Sequence, residues 1–140
     1  VIDIAGDASV QMTMQEMSAA VQHDLPIKIF ILNNAYLGMV RQWQELLHGG
    51  RYSHSYSDSL PDFVKLAEAY GGHGIRAETP DELDDKIREM IETPKPVLFD
   101  CVVTQEENVF PMIPSGAAHN EMLFGEVKGD EVSDAGKVLV

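Results

Sequence analysis

Cysteine, basic residues and long apolar runs are all scarce in this sequence. Its single cysteine, Cys101, excludes an internal disulfide framework, and apolar neighbours favour a buried, unreactive thiol. No run of about 18 apolar residues occurs, so we expect no membrane span. Ten basic residues against 23 acidic ones give a net charge of −13, which argues against nucleic acid as a partner. The five histidines are scattered, without the spacing of zinc ligands.

Apolar runs and helical patterns alternate along the chain. β-forming runs predict strands at residues 1–5, 27–32, 73–77 and 97–103. Apolar spacing and start signals, including capping boxes at Thr13/Glu16 and Thr79/Glu82, predict helices at residues 13–23, 38–47, 61–70 and 79–92. This alternation is typical of an α/β fold, an open parallel sheet with helices on both faces.

Two oxygen-bearing side chains follow the first two predicted strands. Asp7 comes directly after the first strand and Gly6, and Asn34 follows the second strand. Ligands of parallel sheets bind outside the carboxyl ends of the strands, and carboxylate and amide oxygens suit Mg²⁺ carrying a phosphate group. Asp and Asn are also common turn residues after any strand, so each residue alone favours a structural role, whereas the pair favours a metal–phosphate site.

The same residues resemble a known family. Gly6-Asp7-Ala8, 24 further residues and Asn33-Asn34 are similar to the motif of thiamine-diphosphate enzymes, which more often has Gly at the position of Ala8. The stretch at residues 33–46, with Gly-Met-Val-Arg-Gln-Trp at its centre, resembles one subfamily, the catalytic subunit of acetohydroxyacid synthase (acetolactate synthase). The resemblance extends to about Met122 and implies a partial thiamine-diphosphate-binding fold.

This resemblance implies roles for individual residues. Asp7 and Asn34 would bind Mg²⁺ through their side-chain oxygens, and Tyr36 through its backbone carbonyl. The residues that contact thiamine diphosphate would be Gly6, Asp7, Ala8, Ser9, Asn34, Gly38 and Met39. The channel for substrates and inhibitors would be lined by Met39, Val40 and Trp43. No catalytic acid or base is expected in this chain, because the family's activating glutamate belongs to another domain of a neighbouring subunit.

The resemblance also implies a larger context. Residues 1–104 would be the C-terminal portion of a thiamine-diphosphate- and Mg²⁺-binding domain, and residues 105–140 a C-terminal arm and tail. The enzyme would condense pyruvate with pyruvate or 2-ketobutyrate for branched-chain amino-acid biosynthesis, and the isolated chain would be inactive. We expect FAD bound by a separate domain, a homodimer or tetramer, and a regulatory small subunit. The compartment would be the bacterial cytoplasm or the plastid stroma.

Several alternatives stay open. The enzyme could be another thiamine-dependent carboligase or decarboxylase such as glyoxylate carboligase, against which Trp43 and residues 51–54 argue. A non-catalytic, flavodoxin-like module that binds Mg²⁺ and phosphate is a further alternative. Met39 and Trp43, four residues apart on a predicted helix, would more commonly pack in a core. The stretch at residues 110–122 is either an arm over the active site or a frayed terminus, and from residue 125 onward we expect a frayed tail.

Overall fold

The computed structural model describes residues 1–125, which fall into two compact units. The first unit comprises Val1–Tyr36 and Asp58–Gln105, and the second comprises Leu37–Ser57 with the described residues from Glu106 onward. The first unit thus ends beside the boundary expected after residue 104, but Leu37–Ser57 groups with the C-terminal stretch. The expected frayed tail from residue 125 lies almost wholly outside the described residues.

The first unit is built on a four-stranded parallel sheet. Its strands are β1 (Ile2–Gly6), β2 (Lys28–Asn33), β3 (His73–Ala77) and β4 (Val97–Val102). Their order in the sheet is β1-β2-β4-β3, with every neighbouring pair parallel. The predicted strands are confirmed to within one residue at each end. Gly6 pairs with Leu32 and Asn33 with Val102, so polar residues that follow these strands emerge at one edge of the sheet.

The first crossover is a broken helix that begins earlier than predicted. The helices are α1 (Asp7–Thr13) and α2 (Met17–Gln22), joined by a 3₁₀ turn at Met14–Glu16. The capping box predicted at Thr13 is wrong, because Thr13 makes no side-chain cap bond and already belongs to α1. The helix therefore starts at Asp7 itself, directly where β1 ends.

Two further helices of this unit follow the predicted pattern with different caps. In α4 (Phe63–Tyr70) the Asp62 side chain accepts from the first free amides, so Pro61 precedes the helix rather than forming its first turn. Gly71 ends α4 in the left-handed conformation, with φ of 89°. In α5 (Pro80–Glu92) the Thr79 side chain makes no cap bond, so the second predicted capping box is also wrong.

Apolar clusters cover both faces of the sheet, as the α/β prediction requires. One face packs strand residues against α1, α2 and α4, through Val10, Met17, Ile31, Phe63, Ala67 and Leu98. The other face packs against α5, through Ile75, Ala77, Met90, Val97, Phe99 and Cys101. Cys101 is a free thiol whose pKa is raised by burial, which confirms that it is buried as expected.

The second unit is organised around α3 (Gly38–Leu46). Arg41 and Gln42 are the buried residues of this helix, whereas Met39 and Val40 are exposed. The Gln42 amide accepts from the Val109 backbone N–H at 2.7 Å and donates to the Val109 carbonyl at 2.9 Å. Asn108 donates to Glu45 at 3.0 Å. Asn108 and Val109 are therefore hydrogen-bonded to α3, and the chain is not frayed at these residues.

No helix within residues 1–125 has the length and apolar character needed to cross a bilayer.

Substitution of Gly74 should test the packing of α4 on the sheet. A Cβ at Gly74 would lie 2.6 Å from both the Cα and the carbonyl oxygen of Val64, so the backbone would have to shift. Gly74→Ala should destabilise the folded unit by about 2 kcal/mol, as overpacking does. Gly125→Ala is the matched control, since a Cβ there meets nothing within 4 Å. Calorimetric unfolding of the complete natural polypeptide would show it, and equal midpoints for the two variants would contradict the packing.

Candidate functional site

Asp7 is a buried carboxylate at the carboxyl end of β1. It is only 1% exposed, and its Oδ2 is a buried atom that has no hydrogen-bond partner among the described residues. Such an unpartnered oxygen is costly, since buried polar groups are normally bonded. Its presence at the ligand-binding edge of a parallel sheet is the chemistry expected of a site that takes a cation.

The surroundings of Asp7 shift the pKa of its carboxyl group. Burial raises the pKa of Asp7 above its ordinary value of 3.8, and the nearby Asp100 carboxylate adds to this rise. The backbone amides of Asp7 and Asn34 act in the opposite direction on the pKa. The backbone N–H of Asn34 therefore lies near the Asp7 carboxyl group, while the joint role of the two side chains as ligands stays a prediction.

A turn at residues 33–36 carries Asn34. The Asn34 Oδ1 accepts from the Tyr36 backbone N–H at 3.1 Å, and the Asn33 Oδ1 accepts from the Ala35 backbone N–H at 3.2 Å. Ala35 has a φ of 57°, a left-handed conformation that is uncommon for any residue but glycine and asparagine. Two side-chain amides thus hold a strained turn, and each of their oxygens accepts one hydrogen bond within it, which leaves a second lone pair.

Sequence reasoning missed a polar group next to this turn. Asp100 on β4 is 1% exposed; its Oδ1 accepts from the Asn33 amide at 2.9 Å, and its Oδ2 lies 3.6 Å from an Arg76 guanidinium nitrogen. Burial raises the pKa of Asp100, while Asn33 and Arg76 lower it. The available signal was a single acid within the apolar run at residues 97–103, which is unusual for a central strand buried on both faces.

An open cavity of about 430 Å³ lies at the carboxyl ends of β2, β3 and β4. Its polar lining includes Asn33, Asn34, Asp62, Arg76 and Asp100. The cavity adjoins the 33–36 turn, and Asp7 is not among the residues that line it.

The other residues predicted around Asp7 are placed at the start of α1. The Ser9 hydroxyl accepts from the Gly6 backbone N–H at 2.8 Å and donates to the Gly6 carbonyl at 3.1 Å. Ala8 is half-buried and Ser9 is exposed. Gly6, Ala8 and Ser9 therefore form one compact bend beside Asp7, with a hydroxyl that fixes the bend.

The remaining predicted site residues belong to the second unit. Gly38, Met39, Val40 and Trp43 all lie on α3. Met39 is 52% and Val40 45% exposed, and Trp43 is partly buried. Met39 and Val40 are therefore not packed into a core among the described residues.

The donor set fits a hard cation. Asp7 offers an unpartnered carboxylate oxygen, and the adjoining turn offers amide and backbone carbonyl oxygens, which Mg²⁺ prefers. No group of three or more His, Cys, Asp or Glu side chains that could hold a metal occurs within the described part of the chain. A zinc-type centre therefore has no support among these residues. One carboxylate together with neutral oxygens instead suits a cation such as Mg²⁺, which is also coordinated by phosphate oxygens.

Comparison with known proteins identifies the class. The family described as "Thiamine pyrophosphate enzyme, C-terminal TPP binding domain" matches residues 1–101. The chain belongs to this family, and thiamine diphosphate is the cofactor of the class.

The similar curated proteins are acetolactate synthase large subunits. The chain is 47% identical over 127 residues to that of Haemophilus influenzae, covering 90% of this chain and 22% of the relative. It is 49% identical over 124 residues to that of Cyanidium caldarium, covering 88% and 21%. The isozyme 3 large subunit of Escherichia coli is 47% identical over 131 residues, covering 91% and 23%. The chain thus spans about a fifth of the length of these relatives.

A solved structure supports the fold. The thiamine diphosphate-dependent 4-hydroxybenzoylformate decarboxylase of Rhodococcus jostii RHA1 superposes with a TM-score of 0.68 at 28% identity, covering 76% of this chain and 20% of that one. The prediction of a partial thiamine-diphosphate-binding fold with an open parallel sheet is therefore confirmed.

The unpartnered carboxylate should make the cofactor-free protein less stable at neutral pH. A raised folded-state pKa stabilises the fold below the ordinary value of 3.8, and this stabilisation is lost as the pH rises through the folded-state pKa. Asp7→Ala should therefore raise the thermal midpoint of the cofactor-free polypeptide at pH 7 and have less effect below pH 3.8. Asp3→Ala, which removes an exposed acid from the same strand, is the control. A lower midpoint for Asp7→Ala at pH 7 would contradict the stated cost of burial.

Proposed function

We propose that this chain is the Mg²⁺- and thiamine-diphosphate-binding part of an acetolactate synthase, which condenses pyruvate with pyruvate or with 2-ketobutyrate. The observation that carries the proposal is the buried Oδ2 of Asp7, without a partner among the described residues and beside Asn34. A cation bound there would satisfy the oxygen and would attract an anionic diphosphate. Identity of 47–49% to acetolactate synthase large subunits supports the particular reaction.

The proposed division of roles follows the two units. Asp7, Asn34 and the Tyr36 carbonyl would hold Mg²⁺, and the bend of Gly6, Ala8 and Ser9 would contact the diphosphate. Gly38 and Met39 on α3 would lie along the cofactor. Met39, Val40 and Trp43 would shape the channel for the second ketoacid, which is consistent with the exposure of Met39 and Val40.

The chemistry is divided between cofactor and protein. When bound, thiamine diphosphate supplies the carbon nucleophile for the ketone and accepts the negative charge left by departing CO₂. The residues of this chain would anchor the diphosphate, orient the ring and exclude water. We assign no proton transfer to them, so the isolated chain should be inactive.

Other parts of the machinery are proposed to lie elsewhere. The activating glutamate and an FAD-binding domain would belong to polypeptide outside these 140 residues. A homodimer or tetramer would bring the glutamate to the cofactor, and a regulatory small subunit would bind the assembly. The compartment would be the bacterial cytoplasm or the plastid stroma, in keeping with relatives from Haemophilus and Cyanidium.

The alternatives are less well supported. The likeness to a 4-hydroxybenzoylformate decarboxylase fits another thiamine-dependent enzyme, but at 28% identity it is weaker than the likeness to acetolactate synthases. A flavodoxin-like signalling module is not favoured, because the matching family is one of thiamine pyrophosphate enzymes.

Removal of the proposed metal ligands should abolish cofactor retention. In the complete natural polypeptide, Asp7→Ala should lower the affinity for thiamine diphosphate at saturating Mg²⁺ by about a hundredfold, because it removes the only anionic ligand. Asn34→Ala, which removes a neutral ligand, should lower it less. Asp3→Ala, an exposed acid on the same strand, should bind normally. Isothermal calorimetry measures all three, and wild-type affinity in Asp7→Ala would refute the metal assignment.

Trp43 should determine the choice of the second ketoacid. Trp43→Leu should keep acetolactate formation but lose preference for 2-ketobutyrate and sensitivity to sulfonylurea-type inhibitors. A core role would instead cost about 3 kcal/mol of stability without changing the products. Tyr70→Leu is the control, since Tyr70 packs against the core of the first unit. Product ratios and thermal midpoints are compared, and a lower midpoint with an unchanged product ratio in Trp43→Leu would refute the channel role.

A further inference from the structure

A line of polar side chains crosses three adjacent strands just above the apolar core. Arg76 on β3 lies 3.6 Å from the Asp100 carboxylate on β4. The same carboxylate accepts a hydrogen bond from the Asn33 amide on β2 at 2.9 Å. The line continues into the 33–36 turn through the Ala35 backbone N–H, 3.2 Å from the Asn33 Oδ1. It ends beside Asn34, which the proposed function assigns to the metal.

We propose that Asp100 is a positioning residue for this turn, acting through Asn33 to set the geometry of the metal ligands at residues 34 and 36. The inference rests on the proposed function, and it concerns a residue to which that proposal assigns no contact with cofactor or metal. Partners behind metal ligands commonly govern metal affinity in this way.

The geometry of the Asn33 amide supports this role. A side-chain amide has a donor end and an acceptor end, and it can rotate to exchange them. The Asp100 carboxylate accepts from the Nδ2 end, and this contact directs the Oδ1 end to the Ala35 N–H. Without an acceptor at position 100, either orientation of the amide is allowed, and one of them leaves the Ala35 N–H without its acceptor.

The turn itself needs such support. Ala35 is held at a φ of 57°, a left-handed conformation that costs free energy for a residue with a Cβ. The Asn33 Oδ1 contact offsets part of this cost. Release of that contact should let Ala35 relax toward negative φ, and residues 34 and 36 on either side would move with it.

The placement of Asp100 also argues against a plain packing role. It is a buried acid, 1% exposed, on the same sheet face as Leu98, which belongs to the apolar cluster there. Its one ion pair is long, 3.6 Å to a half-exposed Arg76. An apolar residue would pack at this position at lower cost, so the acid is better explained by the bond that it accepts from Asn33.

The test uses calorimetric titration of Mg²⁺ into the complete natural polypeptide with thiamine diphosphate at saturation. Asp100→Leu fills the volume but accepts no hydrogen bond, and it should weaken Mg²⁺ binding by about tenfold. Asp100→Asn keeps an acceptor and should stay within about threefold of wild type. Asn33→Leu breaks the same link from its other side, and it serves as the test if Asp100→Leu does not fold.

The double substitution shows whether Asp100 and Asn33 affect Mg²⁺ affinity through their shared hydrogen bond or independently. The Asp100 charge also acts on Asp7 directly, so Asp100→Asn with Asn33→Leu, which lacks that charge, is the reference for the double variant. Asp100→Leu with Asn33→Leu should bind Mg²⁺ no more weakly than this reference. Arg76→Gln, which removes the other partner of the carboxylate, is the matched control and should stay within about threefold of wild type. In turnover assays, the Mg²⁺ activation constant should rise in Asp100→Leu while kcat at saturating Mg²⁺ is retained.

Three results would overturn the inference. These are wild-type Mg²⁺ affinity in Asp100→Leu, losses that add in the double variant, and a loss in Arg76→Gln as large as that in Asp100→Leu. If Asp7→Ala weakens Mg²⁺ binding and Asp100→Leu does not, this inference fails while the proposed function stands. If Asp7→Ala also binds normally, the proposed function fails.

Discussion

A buried carboxylate with an unpartnered oxygen is the constraint on which the site depends. Asp7 sits where β1 ends and α1 begins, 1% exposed, and its Oδ2 finds no partner among the described residues. An ionised group in that position costs free energy unless an opposite charge arrives. The fold keeps this costly group at the ligand-binding edge of the sheet, where a cation and an anionic cofactor would offset the cost.

The parallel sheet makes this arrangement possible. Strands β1 and β2 are neighbours in register, with Gly6 opposite Leu32, so Asp7 and the 33–36 turn emerge side by side. β4 lies on the other side of β2 and brings Asp100 to the Asn33 amide. Three strands thus bring together the proposed ligand Asp7, the 33–36 turn and the Asp100 carboxylate that bonds to it.

Local patterns in the sequence were sufficient for the strands of the sheet, whereas the pairing of Asp7 with Asn34 as ligands stays a prediction. Each strand is a short apolar run of β-forming residues, and the order of strands and helices favours parallel neighbours. Capping at Thr13 and Thr79 was mispredicted, because α1 starts at Asp7 and Pro80 opens α5 without a bond from Thr79. The Asp100–Asn33 contact could not be read locally, since 67 residues separate its partners. Gln42 is buried on α3, whereas Met39 and Val40 are exposed. This burial could not be predicted locally, because the Gln42 amide bonds the distant Val109 backbone.

The central claim is that Asp7 and Asn34 share one hard cation. The most direct measurement is a crystal structure of the complete natural polypeptide with thiamine diphosphate and Mn²⁺ in place of Mg²⁺, with anomalous scattering used to locate the metal. The account predicts one Mn²⁺ peak within about 2.3 Å of the Asp7 Oδ2 and the Asn34 Oδ1, in contact with diphosphate oxygens. A peak elsewhere, or a bound diphosphate with no metal between it and Asp7, would contradict it.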